Sequence, residues 1–126
     1  MNRLFNQFFL SLERGKAILF GKIAIGATGA PTLNAIKSKG IASISRTSAG
    51  LYVITLNDIY VDLYSLRVSF LGASDPTVAY AYTVSQSVNS SKQVTFQCKN
   101  ISGAAVDPIS GTEMSVKLML KTSTAP

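Results

Sequence analysis

Apolar and polar residues alternate along several short runs of this chain, which is the period of a β-strand with one buried face. The clearest run is Glu113–Lys121, in which Met, Val and Leu occupy every second position from Met114. The run Gln93–Lys99 repeats the pattern, with Val94, Phe96 and Cys98 on one face. In total the pattern predicts seven strands, at residues 17–25, 41–46, 51–56, 66–71, 78–84, 93–99 and 113–121.

The segment Gly40–Asp58 predicts a hairpin at the centre of the fold. Its second strand, Leu51–Leu56, is apolar on both faces, as expected for a strand covered on both sides in the middle of a sheet. Gly50 ends the preceding turn, where a short hairpin loop needs a residue with positive φ, and glycine adopts that conformation without steric cost.

No helical pattern separates the seven runs, so the sequence provides no βαβ unit. A chain of 126 residues is long enough for one domain with a substantial core. The predicted fold is therefore all-β: a single antiparallel β-sandwich of the jelly-roll or immunoglobulin-like type. Its predicted core includes Ile54, Phe70, Val94, Phe96, Val116 and Leu118.

The first 16 residues, MNRLFNQFFLSLERGK, lack strand alternation. Their apolar residues recur at helical spacing, which predicts a short amphipathic helix that ends near Gly15. A signal peptide is one alternative, but Asn6 and Gln7 interrupt the apolar run and no small-residue cleavage site follows it. An interfacial membrane helix is another, with little beyond Arg3, Arg14 and Lys16 to support it. We expect residues 1–16 to be an anchoring arm and residues 17–126 to be the sandwich domain. The candidate partner-binding side chains of the arm are Arg3, Leu4, Phe5, Phe8, Phe9, Leu12, Arg14 and Lys16.

Two segments between the strands are less regular. Leu33–Gly40 fits either a loop or a single helical turn. After the hairpin, Asn57 or Asp58 is predicted to cap a short helical turn that places Ile59 and Leu63 on one side. Asp58 and Asp62 form the one close carboxylate pair of the sequence, and without a third ligand nearby we interpret them as a cap and an exposed carboxylate rather than a cation site.

Charge is scarce and unevenly placed. The formal net charge is +6, although charged residues make up only 14% of the chain. Residues 1–46 hold seven basic residues and one acidic residue, whereas residues 47–126 hold five of each. This asymmetry indicates either a solvated face or a basic segment that meets an acidic surface, a membrane or nucleic acid.

The sequence offers little for catalysis. It contains no His and one Cys, which excludes Ser-His-Asp and Cys-His arrangements and thiolate zinc sites. Cys98 lies on the same side of its predicted strand as Val94 and Phe96, and we predict that it is a buried small apolar residue. We expect neither enzyme activity nor a metal or cofactor.

Tyr80 and Tyr82 stand on one face of the predicted strand at residues 78–84. Such a pair is typical of the rim of a core or of an oligomer interface, and paired tyrosines at a surface also stack on sugars or bases. Both interpretations stay open at this point.

Three stretches resemble a known group: GATGAPTLNAIKSKGIASISR (Gly26–Arg46), TSAGLYVITLND (Thr47–Asp58) and GAAVDPISGTEMSVKLMLKTST (Gly103–Thr124). They are similar to small virion proteins of tailed bacteriophages, of the head-decoration or head-fibre type. The resemblance covers roughly residues 20–124 and implies a compact β-domain, often trimeric, that sits on the capsid. It implies no catalytic residues, and the N-terminal arm is not part of it.

Three functions follow from these observations. The leading hypothesis is a non-enzymatic virion component on the capsid surface that binds the major capsid protein or another virion protein as a homotrimer. The second is a receptor- or carbohydrate-binding module of a tail or fibre that uses Tyr80 and Tyr82. The third is a nucleic-acid-contacting protein that uses the basic first third, which we consider less well supported; we expect no membrane partner.

Overall fold

The computed structural model of this protein describes residues 16–72 and 78–122. These residues contain eight strands, joined by loops and one 3₁₀ turn at Ala27–Gly29. The strands are β1 (Lys16–Ile25), β2 (Pro31–Leu33), β3 (Ile41–Ser48), β4 (Leu51–Leu56), β5 (Asp62–Leu71), β6 (Tyr80–Gln86), β7 (Gln93–Lys99) and β8 (Glu113–Lys121).

The strands form two four-stranded sheets in which every neighbouring pair is antiparallel. The first sheet has the order β2-β1-β8-β5, and the second has the order β3-β4-β7-β6. The first and last strands, β1 and β8, are therefore paired in the middle of one sheet. β4 and β7 hold the same position in the other sheet, which confirms the prediction that Leu51–Leu56 is a central strand. The all-β prediction is confirmed.

The inward side chains of both sheets belong to one hydrophobic cluster. β8 contributes Met114, Val116, Leu118 and Leu120, the four positions given by its alternation. Five of the six predicted core residues are at most 1% exposed, and the sixth, Phe70, is partly buried against the cluster. Burial of this many apolar side chains is the main stabilising contribution in a domain of this size.

The predicted helical turn after the hairpin is wrong. Residues 57–61 contain bends but no helical turn, and Asp62 already begins β5. The β5–β8 register shifts between Leu63 and Ser65, so the alternation of β5 changes phase there. The first part of β5 was therefore not predicted as a strand, because a bulge inserts one residue and breaks the period of two.

Two further boundaries differ from the prediction. β6 runs from Tyr80 to Gln86 rather than over residues 78–84, and Val78 is buried while Tyr80 and Tyr82 are half-exposed. Val78 therefore does not share the environment of the two tyrosines, since it precedes the strand, and the register shifts again between Thr83 and Ser85. The eighth strand, β2, was not predicted, because three residues with a leading proline are too short to show alternation.

The turn of the β3–β4 hairpin follows the prediction. Gly50 has a φ of 69°, and a Cβ built on it lies 2.5 Å from the Val106 carbonyl oxygen. Glycine is thus required both by the backbone conformation and by the close approach of the loop before β8.

The predicted N-terminal helix falls on residues outside the described ranges, except for Lys16, the first residue of β1. Within the described ranges, no helix has the length and apolar character needed to cross a membrane.

Candidate interaction surfaces

The outward side of the first sheet carries most of the cationic strand residues. Because side chains alternate between the two sides of a strand, every second residue of β1, β5 and β8 points away from the core. We call this side the basic face, and its outward residues are Lys16, Ile18, Phe20, Lys22, Ala24, Asp62, Ser65, Arg67, Ser69, Leu71, Glu113, Ser115, Lys117, Met119 and Lys121.

Strand register arranges these residues in rows across β1, β8 and β5. The central row is Phe20–Lys117–Arg67, in which the two cations are direct cross-strand neighbours. Lys16–Lys121–Asp62 is the row at one end, and Ala24–Glu113–Leu71 is the row at the other. The carboxylates of the basic face therefore lie at its two ends, and its centre is cationic.

An open groove of about 880 Å³ is lined by residues from the middle rows of β1, β8 and β5. Its lining includes Phe20, Lys22, Arg67, Ser69, Ser115 and Lys117 of the basic face, and Lys37 from the loop after β2. The inward residues Gly21, Leu66, Val68 and Val116 and Ala81 of β6 also line it, so the groove is not confined to the basic face. A smaller hollow adjoins it at Ser65 and Met119 and shares its two central cations.

One of the groove cations is paired within the chain. The Lys22 ammonium lies 3.3 Å from a Glu113 carboxylate oxygen. No described residue forms an ion pair or a hydrogen bond with the side chain of Arg67 or Lys117. Like charges directly opposite each other on neighbouring strands are destabilising in general, so we expect this pair to add nothing to the stability of the sheet.

Apolar side chains are exposed on the same face. Ile18 and Phe20 are both 48% exposed, and Leu71 is 67% exposed. Large side chains at these positions add nothing to the core, which is complete on the other side of the sheet. An exposed mixture of apolar and cationic side chains is typical of a surface that contacts another macromolecule.

The outward side of the second sheet has a different character, and we call it the uncharged face. Its described strand positions carry Ser, Thr, Gln, Leu, Val and Tyr, and Lys99 at one corner is the charged residue among them. Leu51, Val53 and Thr55 of β4 are only half-buried there. The two sheets thus present faces of opposite character.

Tyr80 and Tyr82 lie at the edge of the uncharged face. Their ring centroids are 6.4 Å apart with an interplanar angle of 27°, and the Lys99 ammonium lies 5.6 Å from the Tyr82 centroid. The predicted side-by-side arrangement is confirmed. An exposed aromatic pair with a cation beside it is suited to stacking against a flat ligand or a partner side chain.

The most connected polar side chain of the described residues is Asp107, in the loop before β8. It accepts two hydrogen bonds from the Arg46 guanidinium, at 2.9 and 2.7 Å, and a third from the Gly50 N–H at 2.7 Å. Gly29 packs so closely that a Cβ there would lie 2.6 Å from the Asp107 Cγ. The neighbouring Tyr52 donates a hydrogen bond of 2.8 Å to the Gly29 carbonyl.

These contacts shift the pKa of several groups. The hydrogen bonds from Arg46 are the main reason that the pKa of Asp107 lies below its usual value, with a further contribution from the Gly50 N–H. Burial raises the pKa of the Tyr52 hydroxyl and raises that of the Cys98 thiol to about 12. Cys98 is fully buried and neutral at physiological pH, as predicted, so it is not a reactive thiol.

The Asp107 cluster ties the loop before β8 to the β3–β4 hairpin and to the 3₁₀ turn. Its carboxylate is hydrogen-bonded to the Arg46 guanidinium and to the Gly50 N–H. No group of three or more potential metal-ligating side chains occurs in residues 16–72 and 78–122.

The basic face is the surface that sequence reasoning missed. The charge count assigned the basic excess to residues 1–46, whereas the two central cations, Arg67 and Lys117, belong to β5 and β8. The alternation of side chains along each strand places Arg67 and Lys117 on the outward side. Only the pairing of β5 with β8 brings them next to each other. Of the predicted arm residues, Lys16 alone is described, and it lies at the end of the basic face.

No protein-family model, curated protein or solved structure was found to match this chain.

Proposed function

We propose that this protein is a non-enzymatic structural component of a tailed-bacteriophage virion that binds the major capsid protein as a head-decoration, cement or head-fibre subunit. The observation that carries the proposal is the exposure of large apolar side chains on both outward faces of a chain whose core is already complete. Phe20 and Leu71 on the basic face, and Tyr80 and Tyr82 on the uncharged face, are available for contacts with other proteins. Such contacts, repeated across a symmetric lattice, give avidity without a strong single site.

The strand order supports a jelly-roll rather than an immunoglobulin-like topology. In an immunoglobulin constant domain the first and last strands belong to different sheets. Here β1 and β8 are paired in the same sheet, and β4 and β7 are paired in the other. Jelly rolls are common in viral capsid domains, which agrees with the resemblance to phage virion proteins.

The uncharged face suits self-association. In a three-fold oligomer, side chains near the axis lie close to the same side chains of the other copies, and this face brings no like charges together there except at the Lys99 corner. Its half-buried Leu51 and Val53 gain further burial in such a contact. We assign the contacts of a homotrimer to this face. The basic face, whose copies repel each other, then remains free for the capsid.

The N-terminal arm is assigned an anchoring role on sequence grounds. A short apolar helix is marginal in water and is ordered when its apolar face is buried on a partner. Lys16, the last residue assigned to the arm, begins β1 and lies on the basic face.

The decisive experiment is to purify particles of the phage that encodes this chain and to quantify the chain by mass spectrometry. We expect a stoichiometric, fixed copy number in intact particles and none in particles from a strain in which the coding region is deleted. Adding back the recombinant protein is expected to restore that copy number. Absence of the chain from wild-type particles contradicts the proposal.

A second candidate function is supported by the stacked Tyr80–Tyr82 pair beside Lys99: a receptor- or carbohydrate-binding module of a tail or fibre. A glycan array tests it. This function is favoured if the chain binds a glycan and Tyr82→Ala abolishes that binding. Tyr64→Ala is the control and should retain it, because Tyr64 has a similar exposure but stands in the other sheet.

A further inference from the structure

The central cation pair of the basic face has no ion-pair partner among the described residues. Arg67 and Lys117 stand directly opposite each other on β5 and β8. Such a pair is destabilising in general, and a sequence that keeps it without an internal compensation points to a binding role.

The surroundings of the pair define a site for an anionic group. The groove holds two further cations, Lys22 and Lys37, and the hydroxyls of Ser69 and Ser115. A carboxylate or phosphate placed there receives charge-assisted hydrogen bonds from Arg67 and Lys117. Both cations are solvated when the site is empty. The favourable free energy of binding therefore comes from charge complementarity with the anionic group and from relief of the repulsion between the two cations.

One feature of the basic face favours an acidic protein surface over a polynucleotide. Exposed Ile18 and Phe20 lie on β1 beside the cations of β8 and β5, and exposed Leu71 lies at one end of the face. Such apolar contacts are typical of protein interfaces. A cationic centre next to exposed apolar side chains matches a cluster of carboxylates set in an apolar surface.

A second copy of this chain is a poor occupant, because two basic faces repel each other. The arm is also disfavoured, since residues 1–15 carry two basic residues and one acidic residue. The acidic group must therefore come from another protein.

We propose that the groove around Arg67 and Lys117 is the docking site for a carboxylate cluster on a partner protein, with Phe20 contacting the apolar surroundings of that cluster. This inference rests on the proposed function, because it names the surface through which the chain binds the capsid. It assigns to the partner a patch of Asp or Glu side chains bordered by apolar residues.

The test uses the full chain and a short synthetic peptide of alternating glutamate and leucine residues, followed by NMR titration of amide shifts. We expect the largest shifts around Phe20, Arg67 and Ser115. The double variant Arg67→Gln/Lys117→Gln is expected to bind the peptide about tenfold more weakly, as is usual when charge pairing is lost from an interface. The control Lys92→Gln/Lys99→Gln has the same net charge and is expected to keep the wild-type affinity.

Thermal melts separate binding from folding. Because Arg67→Gln removes a like-charge pair at the surface, the variant is expected to melt at or above the wild-type temperature while it loses affinity. A lower melting temperature contradicts the expectation that the pair adds nothing to the stability of the sheet.

Three results overturn the inference: no binding of the peptide, equal loss of affinity in both double variants, or tighter binding of a DNA duplex than of the peptide with loss in Arg67→Gln/Lys117→Gln. The last result assigns the face to nucleic acid. None of these measurements involves a phage particle, so a failure here leaves the mass-spectrometric test of the proposed function intact, and a failure of that test leaves the peptide site standing.

Discussion

Asp107 joins three parts of the fold through one carboxylate. It receives hydrogen bonds from Arg46 of β3 and from the turn residue Gly50, and it packs against Gly29 of the 3₁₀ turn. The Arg46 guanidinium is exposed, so its ion pair contributes little by itself. The bond to the Gly50 N–H matters more, because Gly50 is buried and its N–H loses this acceptor when the carboxylate is removed.

We predict that Asp107→Ala lowers the free energy of unfolding at pH 7 by about 1–3 kcal/mol, the usual effect of leaving a buried donor unpaired. The pKa of Asp107 is lowered in the folded state, so its ionised form favours folding above the unfolded-state pKa of about 3.9. The stabilisation is therefore complete at neutral pH and is lost as the pH falls through the folded-state pKa.

Urea unfolding of the wild type and the variant between neutral pH and pH values below about 4 measures this effect. The difference between the two proteins is expected to shrink at the acidic end. Asp58→Ala, at an exposed position, is the control and is expected to stay close to the wild type. A difference that stays constant down to the lowest pH contradicts the assigned role of the carboxylate.

At the level of elements, the β3–β4 hairpin depends on two constraints at one residue. Gly50 has a positive φ, and the carbonyl oxygens of Cys98 and Val106 lie within 2.6 Å of the position of a Cβ. The turn is therefore specified locally by backbone conformation and again by the packing of the loop before β8. Gly111 provides the comparison, since it has a φ of 92° but no atom within 4 Å of a built Cβ.

We predict that Gly50→Ala destabilises the protein more than Gly111→Ala does. Both variants incur left-handed backbone strain of about 1–2 kcal/mol, but only Gly50→Ala also forces two backbone carbonyls to move. Thermal or urea unfolding of the two variants measures the difference. Equal destabilisation means that the loop before β8 adapts at no cost and that the close approach is not a constraint.

At the level of the whole molecule, we propose a different role for each of the two outward faces. The uncharged face is suited to contacts between copies, and the basic face is suited to an acidic partner. Charged side chains near the symmetry axis of an oligomer lie close to the same charges of the other copies and repel them, whereas uncharged polar and apolar side chains cause no such repulsion.

We predict that the chain is a homotrimer, with a mass three times the 13.4 kDa of one chain in multi-angle light scattering. Thr95→Glu places a charge beside Val53 in the middle of the uncharged face and is expected to dissociate the trimer. Ser115→Glu adds the same charge to the basic face and is expected to leave it trimeric. A stable wild-type monomer at micromolar concentration contradicts the assignment.

The anchoring arm gives a separate prediction. Deleting residues 1–14 is expected to leave the far-ultraviolet circular dichroism of a β protein, because β1 begins after the deletion. The same deletion is expected to abolish attachment to purified heads. Raised salt is expected to weaken attachment of the full chain only in part, since apolar contacts are not screened. If the truncated protein still occupies purified heads at the wild-type level, the attachment site lies in the β-domain instead.

Period-two alternation determined the all-β class, the central position of Leu51–Leu56 and nearly the whole core. That information is local, because the side of a strand on which a residue lies depends only on its parity, and burial follows from its hydrophobicity. The same reasoning failed where a bulge changed the phase, as at Leu63 in β5, and where a strand was too short to alternate, as in β2. Gly50 was predicted for a local reason as well, since its positive φ belongs to the turn itself.

Strand pairing and loop packing, by contrast, were decided only by the tertiary structure. Arg67 and Lys117 are distant in sequence, and nothing in either neighbourhood indicates that β5 and β8 are adjacent. Likewise, Arg46 and Asp107 stand in segments that show no sign of contact until the loop before β8 folds over the hairpin. The sequence by itself set which side of each strand is buried, because hydrophobicity acts residue by residue. The tertiary structure set which outward residues share a face, because that depends on the order of strands in a sheet.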